Sequence, residues 1–201
     1  MNAERNHIKV FVSSTVYEFE TELNRVFAML DSFGYDVCMS KEGTIPLNSR
    51  LSNLINCVNA VKECDVFLGI IRPLKGSGVL ERDGRSITAQ EFDEAFMSDM
   101  PRFILADYRV EFAHKFLRLM RQDLDKIPDF TEKTKDGVTT RKPNLLIHAE
   151  SVELYRLAIQ EKVPDPAKRV GDWVQPYKDE SDIARFVEAQ FLNVEHIKSL
   201  L

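Results

Sequence analysis

The sequence is poor in the residues that build disulfide scaffolds, metal sites and membrane spans. It has three cysteines, Cys38, Cys57 and Cys64, with no CxxC pair and no cysteine–histidine spacing typical of metal ligation. Their apolar neighbours predict reduced thiols in the core of a cytoplasmic protein. The longest uninterrupted apolar run, VFLGII at 66–71, is far too short to cross a bilayer, and the amino terminus is polar. We therefore expect neither secretion nor membrane insertion.

The sequence also has no excess of positive charge and no histidine pattern typical of catalysis. The formal net charge is −5, with Lys and Arg scattered among Asp and Glu, so no surface that would bind the phosphates of a nucleic acid is predicted. No histidine has a Cys, Asp or Glu nearby at metal-ligand spacing, and no serine lies in a nucleophile elbow. The sequence thus predicts no metal site, no cofactor and no acyl-enzyme hydrolase; the four histidines are His7, His114, His148 and His196.

Short β-branched runs alternate with longer helical patterns along the chain, which is typical of an α/β protein. The 201 residues, 44% of them hydrophobic, suffice for one domain over 1–201. Strands joined by helices of this length run mostly parallel, with right-handed crossovers. We predict a doubly wound, mostly parallel sheet of about five strands with helices on both faces. The predicted strands are 8–12, 35–39, 64–71, 103–106 and 173–177.

The helices between these strands are predicted from apolar residues spaced three and four positions apart. The first of them should end at Gly34, because glycine commonly closes a helix. The residues expected to form buried faces are Phe19, Leu23, Val26, Phe27, Leu30 and Phe33 in the first helix, Leu51, Leu54, Ile55, Val58 and Val61 in the second, and Phe112, Phe116 and Met120 in a helix over about 110–124.

Two later segments stand out by composition. PDFTEKTKDGVTTRKPN at 128–144 contains charges, Gly and Pro without a period, which predicts a mobile surface insertion. WVQPY at 173–177 is predicted as an edge strand, because Pro176 cannot donate a hydrogen bond to a neighbouring strand. Trp173 is assigned to core packing, with a partner surface as the alternative.

Polar side chains follow three of the predicted strands. Ser13, Ser14 and Thr15 come after the first strand, Arg72 after the third and Tyr108 after the fourth. In an open parallel sheet the ligand crevice lies beyond the carboxyl ends of the strands. We therefore predict that these side chains border one crevice.

Glu91 has two interpretations. Thr88 and Glu91 have the spacing of a capping box, in which both side chains satisfy amides at a helix start, and Thr15 and Glu18 share that spacing. Alternatively, Ser86, Thr88 and Glu91 face the crevice from the first turn of their helix. An anion beside a ribose C1′ there either stabilises an oxocarbenium-like transition state or attacks the carbon.

The other candidates also have two interpretations each. The hydroxyls of Ser13–Thr15 either bind a phosphate or ribose together with the following helix amides, or Thr15 merely caps that helix. Arg72 either clamps a phosphate or carboxylate with two hydrogen bonds, or pairs with Glu91 or Asp93.

Three segments together resemble one family. IKVFVSSTVYEFETEL, ECDVFLGIIR and GRSITAQEFDEAF occur in this order, and roughly at the same intervals, in the family called domain of unknown function 4062. The resemblance covers the first hundred residues or so well and the rest by element order. In two places the chain departs from the family: GIIRPLKGSG lacks the tyrosine of a Gly-x-Arg-Tyr-Gly run, and MSKEG moves the acid of a Met-Glu pair to Glu42.

The resemblance implies a fold like that of Toll/interleukin-receptor (TIR) domains and nucleoside deoxyribosyltransferases. It also implies that Glu91 acts at the ribose of NAD or of a nucleoside. In an enzyme of this kind we expect Tyr108 to be a stacking platform. Members of the family often precede signalling ATPases, some of them in antiphage defence. Two functions follow: cleavage of an N-glycosidic bond in a nucleotide or NAD-like molecule, or a non-catalytic signalling module that binds itself or another protein.

Overall fold

A five-stranded parallel sheet forms the centre of the molecule and confirms the predicted α/β class. The computed structural model describes residues 7–76, 85–120, 131–133, 139–141 and 147–201, with only the backbone of 131–133 and 139–141. Its strands are β1 (Lys9–Ser14), β2 (Asp36–Cys38), β3 (Val66–Ile71), β4 (Arg102–Asp107) and β7 (Val174–Tyr177). They lie in the order β2-β1-β3-β4-β7, all parallel. A separate antiparallel ribbon pairs β5 (Thr131–Lys133) with β6 (Thr139–Arg141).

Helices cover both faces of this sheet, as a doubly wound fold requires. Every crossover between parallel strands must pass over one face, and here the helices divide between the two faces. They are α1 (Glu20–Ser32), α2 (Asn53–Lys62), α3 (Ile87–Met97), α4 (Tyr108–Leu119), α5 (Ala149–Ala158), α6 (Glu180–Phe191) and α7 (Val194–Lys198).

Successive side chains of the strands point to opposite faces of the sheet, so two separate apolar cores form. Val10 and Val12 of β1 point to the face covered by α1, α6 and α7, whereas Phe11 points to the face covered by α2, α3 and α5. This is the two-residue period of a strand that is buried on both sides. All six residues of β3 are buried, so the most apolar segment of the sequence lies at the middle of the sheet, as predicted.

Gly69 in β3 allows α3 to approach the sheet closely. A Cβ atom at this position would lie 2.5 Å from Cζ of Phe92 and 2.9 Å from Cδ1 of Ile104. The Phe92 ring instead occupies that space and packs edge-on against Phe67, with 5.1 Å between the ring centroids. Glu91, the residue before Phe92 on the helix, is thereby placed near the end of β1, since Gly69 pairs with Ser13.

The strand order reverses direction between β1 and β3. From β1 the chain turns to β2 on one side, and from β3 it continues to β4 on the other. Connections from such a pair of strands diverge over opposite faces and leave a crevice at their carboxyl ends. The topology therefore predicts a crevice at the carboxyl edge of the sheet near β1 and β3.

Two of the predicted helical faces are wrong in part. In α2 the buried residues include Cys57 and Val61, while Ile55 is exposed. In α4 the buried residues are Val110 and His114, and the apolar residues expected inside are 65% (Phe112), 50% (Phe116) and 53% (Met120) exposed. Both helices carry apolar residues around more than half of their circumference, so the apolar stripe alone does not fix the buried side.

The carboxyl-terminal predictions have mixed outcomes. β7 is an edge strand with Pro176 in it, as expected. Trp173 is 75% exposed, so its assignment to the core is wrong. The mobile insertion at 128–144 falls mostly outside the described residues and stays a prediction. Within the described part of the chain, no helix has the length and apolarity needed to span a bilayer.

Candidate functional site

A cavity of about 310 Å³ opens at the carboxyl edge of the sheet, beside the end of β1. Its walls come from the segment after β1, the connection between β2 and α2, and the helices α2 and α3. This is the crevice that the strand order predicts. The volume is at the lower end of the range for small-molecule sites.

Glu91 lies at the base of this cavity and is 5% exposed. Ser13 Oγ donates a hydrogen bond of 2.5 Å to Glu91 Oε2 across the gap between β1 and α3. Ser13 itself is 1% exposed. A buried serine–carboxylate contact between residues 78 positions apart fixes the carboxyl group relative to the sheet.

Burial raises the pKa of the Glu91 carboxyl to about 7 from an ordinary value of 4.5. Taking the carboxylate out of water disfavours its charge, and the hydrogen bonds from Ser13 and Cys57 offset that effect only in part. The group therefore changes charge near neutral pH, which suits a general acid, a general base or a nucleophile.

Cys57 of α2 also lines the cavity and contacts Glu91. Burial raises the pKa of this thiol to about 12, and the nearby Glu91 carboxylate raises it further. Cys57 therefore stays a thiol at neutral pH and donates its S–H to the carboxylate. All three cysteines are free and buried, which confirms their predicted place in the core.

Hydroxyl groups line the cavity around Glu91. Ser14 Oγ donates to the carbonyl of Ile70 at 3.0 Å, and Thr15 Oγ1 to that of Leu74 at 3.1 Å. Thr88 is 8% exposed and lines the cavity, yet its hydroxyl has no hydrogen-bond partner among the residues that the structure describes. A buried hydroxyl at a cavity surface without a protein partner is suited to a ligand hydroxyl or water.

The opposite wall is formed by the connection between β2 and α2. Ile45 and Leu47 supply apolar surface there, beside Ser40 and Gly43. Asn56 of α2 fixes this segment: its Oδ1 accepts from the Asn48 amide at 2.9 Å, and its Nδ2 donates to the carbonyls of Asn48 and Leu51 at 3.2 and 3.4 Å. Asn56 thus anchors the end of the wall near α2, and at its other end Thr44 Oγ1 accepts from the Met39 amide at 2.9 Å.

Neither predicted capping box forms. The N-cap of α3 is Ser86, whose Oγ accepts from the Ala89 amide at 3.1 Å. Glu91 is five residues further on, so its predicted place in the first turn is wrong, and its carboxyl meets Ser13 rather than the Thr88 amide. A cap two residues upstream moves Glu91 from the helix end to the face that looks into the cavity.

The start of α1 differs from its prediction in the same way. The helix begins at Glu20, and Glu18 has a positive φ of 54°, so Thr15 and Glu18 form no box. Glu20 Oε2 accepts from the Phe19 amide at 2.9 Å. This contact occupies an amide that a phosphate would need, and a second acidic residue in the first turn, Glu22, adds negative charge.

Arg72 binds the backbone that leads into α1. Its guanidinium donates to the carbonyls of Thr15, Tyr17 and Glu18 and lies 4.4 Å from the Phe19 ring centroid. The alternative pairing with Glu91 or Asp93 is absent among the described contacts of Arg72, and Asp93 pairs with Arg85. Arg72 thus closes a turn next to the cavity.

Two further candidates lie away from the cavity walls. Ser86 is fully buried and donates to Glu150. Tyr108 is the first residue of α4, after the N-cap Asp107, and is 45% exposed. The cavity lining therefore brings together Ser14, Thr15, Thr88 and Glu91, and Ser13 contacts it through Glu91. Arg72, Ser86 and Tyr108 lie outside the lining.

Among the cavity residues that sequence reasoning missed, three have side chains able to form hydrogen bonds: Ser40, Asn53 and Cys57. Cys57 was recognised as buried, but the predicted face of α2 was displaced by one position, so its approach to Glu91 was not expected. Ser40 and Asn53 lie in and directly after an irregular connection that has no period to interpret. Only the rule that connections at the carboxyl edge form the crevice points to them.

The family model described as "Domain of unknown function (DUF4062)" matches residues 9–156. This range includes the cavity residues and extends into α5. The search of curated proteins finds no match.

Proposed function

The chain belongs to the DUF4062 family, and from the geometry of its cavity we propose that it binds the ribosyl part of a nucleotide or NAD-like molecule and cleaves its N-glycosidic bond. The observation that carries this proposal is the buried Glu91 carboxyl at the cavity base, held by Ser13 at 2.5 Å. A carboxylate costs free energy to bury, and such a cost is typical of functional sites.

The cavity suits a sugar with an attached ring. Its volume of about 310 Å³ accommodates one nucleoside-sized moiety rather than a whole dinucleotide. The Thr88 hydroxyl and the oxygens of Ser14 and Thr15 are available to ribose hydroxyls. The side chains of Ile45 and Leu47 provide the apolar surface that a planar base requires.

The ionised Glu91 performs the chemical step. As the bond between C1′ and the ring nitrogen breaks, its electron pair leaves with the base and positive charge develops at C1′. The carboxylate stabilises this charge or bonds to C1′. Water then forms the new bond to C1′ and gives its proton to the Glu91 carboxylate or to solvent, which leaves a neutral sugar hydroxyl. A pyridinium such as nicotinamide leaves as a neutral ring and needs no proton, so no separate general acid is required.

The proposal predicts a rate that rises with pH. Only the ionised carboxylate supports the step, and the Glu91 pKa of about 7 places the rise near neutrality. A role as general acid would give the opposite slope.

The test is release of free base from NAD and from nucleosides by purified protein. Glu91→Gln keeps the shape but not the charge, so release should fall about a hundredfold or more. Glu94→Gln on the same helix is the matched control, because Glu94 pairs with Lys62 outside the cavity lining. Wild-type protein that releases no base from any of these substrates would exclude the enzyme.

One observation supports the second candidate function, a protein-binding signalling module. Phe112 and Phe116 on α4 are 65% and 50% exposed and stack on each other at 6.1 Å. Exposed aromatic pairs of this kind are enriched at protein interfaces. Sedimentation equilibrium of the wild type and of Phe112→Ser with Phe116→Ser tests this candidate for self-association: equal masses would exclude it.

A further inference from the structure

A second buried carboxylate lies behind the start of α3. Glu150, in the first turn of α5, is 6% exposed. Its two oxygens accept from the Ser86 amide at 3.0 Å and from Ser86 Oγ at 2.5 Å, and Lys75 Nζ lies 3.4 Å away. It does not line the cavity, so the chemistry proposed for Glu91 does not use it.

We propose that Glu150 is a positioning residue of the candidate site: it fixes the start of α3 and thereby holds Thr88 and Glu91 at the cavity. Where it concerns activity, this inference rests on the proposed function. Its structural basis is independent, because it concerns where one helix begins.

The contacts form a continuous path from Glu150 to the cavity. Ser86 donates both hydrogen bonds to Glu150 and is itself the N-cap of α3, because its Oγ accepts from the Ala89 amide. Thr88 and Glu91 follow two and five residues later on this helix, so a shift of its first turn moves both.

Glu150 also contacts both ends of the connection between β3 and α3. Lys75 comes four residues after the end of β3, and Ser86 directly precedes α3. The α5 start is itself fixed to the end of β3, since the His148 amide donates to the Pro73 carbonyl at 2.7 Å. Gly76 lies so close to Thr88 that a Cβ there would stand 2.6 Å from Thr88 Oγ1. This packing leaves little room for a displaced helix start.

The experiment measures the titration of Glu91 directly, so it needs no ligand. The protein is labelled with ¹³C at glutamate carboxyl groups, and the Glu91 resonance is assigned by its loss in Glu91→Gln. The wild-type midpoint is expected at about 7. The groups that face Glu91 in the described structure are the Ser13 hydroxyl and the Cys57 thiol, and none of the variants below changes them.

Glu150→Ala should lower the Glu91 midpoint by about one unit or more, because a loosened helix start admits water to the carboxyl. Glu150→Gln retains an oxygen for the Ser86 amide and should lower the midpoint by less than half as much. Val187→Ala is the control: Val187 is fully buried in α6 on the other face of the sheet, so its loss lowers the melting temperature without moving the Glu91 midpoint.

An unchanged midpoint in Glu150→Ala, with a melting temperature lowered as in Val187→Ala, would overturn the inference. If Glu150→Ala does not fold, the Glu150→Gln midpoint decides in the same way. Base release measured above both midpoints, where Glu91 is ionised in every variant, should fall in parallel with the midpoint shift, because only the position of the carboxylate then differs. Absence of base release in the wild type would overturn the proposed function alone, because the titration does not depend on turnover.

Discussion

The helices α1 and α3 begin beside neighbouring strands of the same sheet, but their starts are closed differently. At α1, side chains of the protein bond the backbone groups at the helix start: Glu20 accepts a hydrogen bond from the Phe19 amide, and Arg72 donates to three preceding carbonyls. At α3 the cap is Ser86, and the Thr88 hydroxyl is left facing a cavity. The same Thr-x-x-Glu spacing thus occurs at a closed helix start and at an open one.

The difference shows that neighbours in space, rather than the spacing, decide the role of each glutamate. Glu18 has a positive φ and lies outside its helix. Glu91 is turned inward because Phe92, next to it, packs into the gap left by Gly69. A carboxyl placed on the inner face must lose its hydration, and this raises its pKa.

The largest expected effect is on the pH dependence of stability. The folded pKa of Glu91, about 7, exceeds the ordinary 4.5, so folding favours the protonated form and stability is lost as pH rises through this window. At about 1.4 kcal/mol per pKa unit the loss is about 3 kcal/mol. Glu91→Gln has no titratable carboxyl at this position, so its stability should not fall in this way as pH rises.

Urea unfolding at pH 4.5 and at pH 8 checks this expectation. The free energy of unfolding of Glu91→Gln relative to the wild type should increase by about 3 kcal/mol between the two pH values. Val187→Ala, which removes a fully buried side chain and no titratable group, is the control and should destabilise the protein equally at both pH values. A constant difference for Glu91→Gln would mean that Glu91 does not titrate in this window.

The next effect concerns the packing that turns α3 inward. Gly69→Ala places a methyl group 2.5 Å from Phe92 Cζ, so the ring must move and the free energy of unfolding should fall by roughly 2 kcal/mol. Phe92→Leu frees part of that space. In the double variant the two losses should be less than additive, by about 1 kcal/mol. Strict additivity in a double-mutant cycle would show that the space left by Gly69 does not determine how Phe92 packs α3 against the sheet.

The smallest effect is expected at the closed start. Arg72→Met keeps an apolar stem over Phe19 but leaves the carbonyls of Thr15, Tyr17 and Glu18 without their donor, which should cost about 1 to 2 kcal/mol. Because Arg72 is outside the cavity lining, the Glu91 titration midpoint should not move. Arg72→Lys restores one donor and should recover part of the stability. A shifted midpoint in Arg72→Met would falsify the separation of the two helix starts.

The sheet could be predicted from the sequence because burial on both faces leaves a clear local pattern. β3 is an unbroken apolar run, and the helices between strands impose parallel order. The buried sides of α2 and α4 could not be predicted, since Ile55 and Phe112 fit the apolar period as well as Cys57 and Val110 do. Which residues turn inward depends on neighbours that are distant in sequence.

The edge of the sheet at which the candidate site lies could be predicted from the sequence. The rule for parallel sheets placed Ser13 and Glu91 together although 78 residues separate them. Helix caps were less predictable, because Ser86 and Thr88 are both good capping residues and a serine two positions upstream took that role. Glu150 was not recognisable, since an acidic residue in a first turn is ordinary and its contact with Ser86 spans 64 residues.

The wall fixed by Asn56 has a further consequence. Glu91 and Ser13, which would carry the reaction, lie on α3 and β1, whereas the opposite surface belongs to residues 40–48 and is anchored through Asn48. Under the proposed function, the residues for reactivity and those for ligand selection would lie in separate stretches of chain. We expect that grafting 40–48 from another member of the family would change ligand preference while the Glu91 carboxyl keeps its surroundings.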